Sequence, residues 1–155
     1  MAKIGVRLHY VSQLSMSADE TWEEHLARYR EADALYKKGK LKSALNCFRK
    51  ALALAPGDSD TLWALGDCHS ELGQPRKAER FYRLARLQAP WDERGDLLYN
   101  IANALLDQGR PRAALQLYAR VPRSAAAFLL AQRNSRLATR KLANISFQPT
   151  AFGGG

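Results

Sequence analysis

SDTLWALGDCHSELGQPRKAERFYRLARLQAPWD, residues 59–92, places two amphipathic runs on either side of a Gly-Gln-Pro break. Leu62, Leu65, Gly66 and His69 recur at three and four residues, the period of one helix face. Gly73 interrupts that helix, and Pro75 opens another, because a first-turn proline gives up only an N–H that has no intrahelical partner. Ala78, Tyr82 and Ala85 form the second apolar stripe, which Pro90 closes. Small residues at Gly66 and Ala78 let the two helices approach closely, with Tyr82 filling the space beside them. The run Asp67-Cys68-His69 then sits inside a helix, where neighbours point about 100° apart, so the thiol and the imidazole do not face each other. Nucleophilic catalysis needs them within hydrogen-bond reach. No C-x-x-C or H-x-x-x-H spacing marks a metal site. The reading assigns no catalytic residue, no metal ligand and no cofactor.

The stretch repeats. Residues 25–58 align with it at an offset of 34, pairing Gly39 with Gly73, Ala44 with Ala78, Phe48 with Tyr82, Ala51 with Ala85, and Pro56 with Pro90. A third copy follows at an offset of 36, with Gly109, Ala114 and Tyr118 in register. The two extra residues fit the turn PWDERGD (90–96), where a short insertion changes loop-closure entropy little. Helical repeats of this period bury their apolar faces only by stacking on neighbours.

A helix–turn–helix unit of this length, with small–aromatic–small residues in its second helix and a closing proline, resembles the tetratricopeptide repeat. The pattern runs through Leu62, Leu65, Gly66, His69, Ala78, Tyr82, Ala85 and Pro90, and through Leu98, Ile101, Ala102, Leu105, Ala114 and Tyr118. The first copy departs from it at Arg28 and Glu31, then rejoins at Ala32, Leu35, Ala44, Phe48, Ala51 and Pro56. In the third, Pro122 directly after Val121 predicts an early end to the second helix. The resemblance implies an all-α fold, a right-handed α-solenoid of three helix–turn–helix repeats with a C-terminal capping helix. The expected organisation is an N-terminal tail over 1–16, repeats over 17–122 (about 25–58, 59–92 and 95–122), an amphipathic capping helix over 123–146, and a flexible tail over 147–155. Ser17 and Glu20 have the spacing of a capping box, which starts the first helix near Ala18. Phe128, Ala131, Ser135, Ala138, Leu142 and Ile145 make the stripe of the capping helix, with Arg133, Arg136 and Arg140 away from it. The tail over 1–16 reads as flexible, as a partner-binding segment, or as a targeting segment.

In this family the first helices line the concave wall on which peptides bind. Here that stripe carries Tyr29, Asp33 and Tyr36 in the first copy, Trp63, Asp67 and Ser70 in the second, and Tyr99, Asn103 and Leu106 in the third, with Asn100 beside them. The resemblance implies an acidic, aromatic-lined groove for a peptide or helix of a basic or amphipathic partner. Some members clamp the C-terminal carboxylates of heat-shock chaperones with lysine, asparagine and arginine. At those places stand Tyr29, Asp33, Ala64, Asp96 and Asn100, so a heat-shock-chaperone carboxylate tail is not the expected ligand.

The net charge of +9 is distributed unevenly. Arg76, Lys77, Arg80, Arg83 and Arg86 crowd the second helix of the middle repeat against Glu79 alone, while Asp60, Asp67 and Glu71 lie on its first helix. A basic convex surface is expected, either as a solvated face or as a docking surface. Nucleic acid is the less favoured partner, because Phe81 stands nearly alone for base stacking. The first functional expectation is a non-catalytic protein–protein interaction adaptor. The alternative is a structural or assembly subunit of a larger complex, docked through the basic face and the tails near RNA. No apolar run reaches the ~20 residues of a membrane-spanning helix. Cys47 and Cys68 are too few for a disulfide framework, so a reducing compartment is expected, cytoplasmic or an organelle matrix.

Overall fold

The computed structural model describes residues 17–146; the tails expected over 1–16 and 147–155 lie outside the described residues, as does the side chain of Ile145. The described chain is all-α: α1 (Ala18–Lys37), α2 (Leu41–Leu54), α3 (Ser59–Glu71), α4 (Pro75–Gln88), α5 (Arg94–Asp107), α6 (Pro111–Tyr118) and α7 (Phe128–Ser146). None of these helices is long and apolar enough to cross a membrane. The chain divides into two compact units, Met1–Pro56 with α1 and α2, and Gly57–Gly155 with the other five.

Local chemistry sets the helix ends. Ser17 caps α1 through the N–H of Glu20, and the Glu20 carboxylate accepts the N–H of Ser17 at 2.8 Å, a reciprocal capping box. Asp58 caps α3 by accepting the N–H of Thr61 at 2.8 Å. Pro75 and Pro111 stand in the first turns of α4 and α6. The first helix of each pair ends in one way: Gly39, Gly73 and Gly109 adopt φ of +71°, +65° and +70°. The next N–H (Lys40, Gln74, Arg110) then reaches back five residues to Leu35, His69 and Leu105. Glycine supplies this left-handed turn without a Cβ clash.

In the first unit, α1 packs on α2 through Ala32, Ala44, Phe48, Ala51 and the buried His25, whose Nδ1 lies 3.0 Å from the Ala51 carbonyl. Arg28, at an apolar position of the repeat pattern, stays part-exposed between Glu24 and Glu31. In the second unit α3 packs on α4, α4 on α5, α5 on α6, and α7 on both α6 and α5. Its core runs through Leu62, Leu65, His69, Ala78, Tyr82, Leu97, Ile101, Leu105, Ala114, Tyr118, Ala131 and Ala138. Each large buried side chain contributes on the order of 1.5–3 kcal/mol. Two approaches are too close for any side chain. A Cβ on Gly66 would lie 2.4 Å from the Tyr82 ring, and one on Gly95 would lie 2.7 Å from the Ala125 methyl. The second contact seats the Pro122–Ala125 turn against the start of α5. α6 stops after eight residues, and this turn leads the chain into α7.

Candidate functional site

The structure distributes the proposed groove residues over three helices. In the first unit α1 carries Tyr29, Asp33 and Tyr36, all half-buried. Tyr29 meets Phe48 edge-on at 5.4 Å, and Asp33 accepts a 2.6 Å ion-pair hydrogen bond from Lys37. In the second unit α3 carries half-buried Trp63 and Asp67 with exposed Ser70, and α5 carries half-buried Tyr99, Asn100 and Asn103. Leu106 is buried in the core of that unit and offers a ligand little surface.

Asp67 and Asn103 are each tied to the second helix of their own pair. Tyr82 Oη donates to Asp67 Oδ1 at 2.8 Å, and Tyr118 Oη donates to Asn103 Oδ1 at 2.6 Å. In the third pair the network extends to α7, where Asn134 Nδ2 donates to Asn103 Oδ1 at 2.9 Å and to Tyr99 Oη at 3.2 Å. The Tyr99 and Tyr118 rings stand 6.1 Å apart. Sequence reasoning counts Tyr82 and Tyr118 as space-fillers and does not reach Asn134. One signal was present: the first copy has Phe48 where these have tyrosine, and a buried phenol needs a hydrogen-bond partner.

Burial pushes the Asp67 carboxyl up to about 6, with Glu71 adding to the rise and the Tyr82 hydrogen bond opposing it. Burial likewise raises the Tyr118 phenol, against the Asn134 hydrogen bond and helped by Tyr99. The Cys68 thiol is pushed up to about 11 by burial and the neighbouring Asp67, which keeps it a thiol rather than a nucleophilic thiolate at neutral pH. His69 stacks on Phe81 at 5.3 Å with the planes 9° apart, so the aromatic set aside for base stacking is occupied within the fold.

On α4, Arg76, Lys77, Arg80 and Arg83 are exposed and Arg86 is half-buried. Exposed Leu84 and Leu87 lie among them in a crevice that Glu79 also lines. Glu79 gathers Arg83 at 2.9 Å, Arg110 at 3.7 Å and the Gln108 amide at 2.7 Å. Burial works to raise its carboxyl, but the Gln108 and Arg83 hydrogen bonds and the charges of Arg83 and Arg110 hold it below the usual range.

Residues 35–95 match a family model of the tetratricopeptide repeat, and residues 95–121 match a second model of the same repeat. No curated protein matches the chain. Among solved structures, the first tetratricopeptide domain of Spaghetti (RPAP3) bound to the HSP90 peptide SRMEEVD superposes with a TM-score of 0.70 at 18% identity, covering 78% of this chain and 94% of that one. The second such domain of human RPAP3, in complex with the HSP70 peptide SGPTIEEVD, gives 0.60 at 16% identity, with 83% and 99% covered. The Yersinia enterocolitica type III secretion chaperone SycD, in complex with a peptide of the translocator YopD, gives 0.62 at 21% identity, with 80% and 93% covered.

These folds correct the expectation about partners. Two of them hold chaperone-derived EEVD peptides, so the exclusion of heat-shock-chaperone tails, and with it the preference for a basic or amphipathic partner, does not stand. The physical reason lies in the charge count. Asp33 is paired with Lys37 and Asp96 accepts the Ala127 N–H at 2.7 Å, so a bare count of acids overstates the free negative charge of the face.

Proposed function

The chain belongs to the tetratricopeptide-repeat family, and from that premise we propose that it is a protein-interaction adaptor holding a peptide or helix of a partner protein against the face of α3 and α5 that carries Trp63, Asp67, Ser70, Tyr99, Asn100 and Asn103. Tyr29, Asp33 and Tyr36 occupy the same register positions on α1. One observation carries the reading. Asp67 and Asn103 are each fixed from behind through a single oxygen, Oδ1, by the tyrosine of the paired helix. Asp67 Oδ2 and Asn103 Nδ2 make no hydrogen bond among the described residues. One acceptor and one donor are thus held in place beside half-buried aromatic surface, at no further ordering cost when a ligand arrives. The Trp63 indole supplies the apolar anchor, the residue type that dominates binding energy at such faces.

The test begins with a photo-crosslinking amino acid at exposed Ser70, which maps the bound segment of a co-purifying partner. SRMEEVD and SGPTIEEVD serve as the first defined probes. Trp63→Ala then weakens the mapped segment's affinity tenfold or more, about 1.4 kcal/mol, with helicity unchanged. Unchanged affinity with intact helicity sinks the assignment.

A further inference from the structure

A second site lies where α4, α5 and α6 meet, and it is independent of the face described above. Arg83, Arg86 and Leu87 of α4, Leu98 and Ile101 of α5, Leu117 of α6, and Arg120 just beyond it line a cavity of about 280 Å³. Its floor is apolar and its rim is cationic. Arg83 is partly neutralised by Glu79. No carboxylate stands within ion-pair distance of Arg86, Arg94 or Arg120 among the described residues. Arg94 is held in place by its Nε, which donates to the Ala89 carbonyl at 3.0 Å. The Nε of Arg86 is buried without a hydrogen-bond partner among the described residues. Desolvation, then the charges of Arg120, Arg94 and Arg83, depress the Arg86 guanidinium, so cations surround it without a matching anion.

An arginine with a buried, unmatched N–H and three like-charged neighbours is stabilised when an anion arrives. We propose that the cavity is a docking site for an acidic segment of a partner protein, a carboxylate side chain engaging Arg86 and Arg120 while a neighbouring aliphatic side chain seats on Leu87 and Leu117, with the buried Leu98 and Ile101 behind them. Charge complementarity selects the occupant. A guanidinium presents a planar donor fork that matches a carboxylate, and its flat face tolerates an aliphatic neighbour. Inorganic phosphate satisfies the rim and leaves the leucine floor unmatched. An RNA strand needs aromatic platforms, and the cavity contains none. Leu87 is 68% exposed beside the rim, an apolar surface that such a segment covers.

The experiment uses the full chain and a fluorescein-labelled peptide of alternating Glu-Glu and Leu-Leu pairs, titrated by anisotropy, with the arginine Nε–Hε resonances followed by NMR. Saturable binding that shifts the Arg86 Nε–Hε signal is expected. Arg86→Gln and Arg120→Gln each weaken it at least tenfold, and Leu87→Ser weakens it several-fold. Arg136→Gln, the same charge change on the exposed side of α7, leaves it unaltered. Trp63→Ala also leaves it unaltered, which separates this site from the adaptor face. Equal loss with Arg136→Gln reduces the effect to general electrostatics and overturns the proposal. So does binding of inorganic phosphate or an oligouridine at the peptide's affinity, or no saturation by ~1 mM peptide.

Discussion

Asp67 and Asn103 fill the same place in consecutive helix pairs, and each accepts a hydrogen bond from the tyrosine fifteen residues on. The middle pair puts a carboxylate there and the third an amide. Around the amide the network grows, taking in Asn134 and through it Tyr99. At the carboxylate the described hydrogen bond is the one from Tyr82, and burial works against the charge. The helix beneath differs too. The middle pair has Gly66 under the Tyr82 ring, where the third has the buried Ala102. One repeat architecture thus supports a tightly seated, titratable version of the motif and a looser, neutral, more connected one. An uncharged amide can be shared among several donors, whereas a half-buried carboxylate keeps what solvent it can.

The largest expected effect breaks the steric half of this comparison. Gly66→Ala drives a methyl into the Tyr82 ring, which is itself buried and has little room to move. Overpacking of this kind costs about 2–3 kcal/mol, and the displaced ring also loosens the bond to Asp67. Ala102→Gly, the reverse exchange in the third pair, costs only about 1 kcal/mol from helix propensity. Urea denaturation of the two variants measures the difference. A Gly66→Ala variant as stable as the parent chain shows that Tyr82 is not seated on that backbone.

The next effect sharpens the electrostatic half. Tyr82→Phe removes a hydrogen bond to a carboxylate, worth about 1.5–3 kcal/mol while that carboxylate is charged. Asp67 is charged above about pH 6, so the destabilisation is full at pH 8 and shrinks at pH 5. Tyr118→Phe removes a bond to an amide that does not titrate and still accepts from Asn134. Its cost, about 1 kcal/mol, is the same at both pH values. Thermal melts of both variants across this range read the contrast directly, and parallel pH profiles refute it.

How much of this was legible before the structure depends on how local each feature is. The helix pairs follow from Gly39, Gly73 and Gly109, from prolines in the first turns of α4 and α6, and from small–aromatic–small spacing, all of which act within a few residues. The all-α repeat fold was therefore readable from period alone. The partner of a hydroxyl was not. Position in the repeat gives Tyr82 and Tyr118 the same role as Phe48, and only the folded geometry shows where their oxygens go. Asn134 is more remote still, thirty-one residues from Asn103, with no repeat register to place it. The same limit misjudged the charge of the face. A count of Asp33, Asp67 and Asp96 takes each as a free anion, whereas Lys37 pairs with Asp33 and the Ala127 N–H occupies Asp96. It also hid the arginine cavity, since Arg86 and Arg120 reach it from separate stretches of chain.

The smallest effect converts one version of the motif into the other. Asp67→Asn keeps an oxygen to accept the Tyr82 hydroxyl and removes the carboxylate's desolvation penalty, which leaves the middle pair in the chemistry already used at Asn103. The sign follows from linkage. The folded-state carboxyl titrates near 6 and the unfolded one near its ordinary value of 3.8, so the folded chain holds its proton more tightly. The parent chain therefore loses stability from this group as pH rises from the unfolded value through the folded one. The asparagine variant lacks that loss. It gains about 1 kcal/mol over the parent at pH 8, after discounting for the solvent that reaches a half-buried group, and the gain vanishes by about pH 4. Melting curves at pH 4, 6 and 8 decide it. A variant less stable than the parent at pH 8 means that the carboxylate, with its charge, is the form the fold favours. The likeness of the two pairs would then end at the tyrosine.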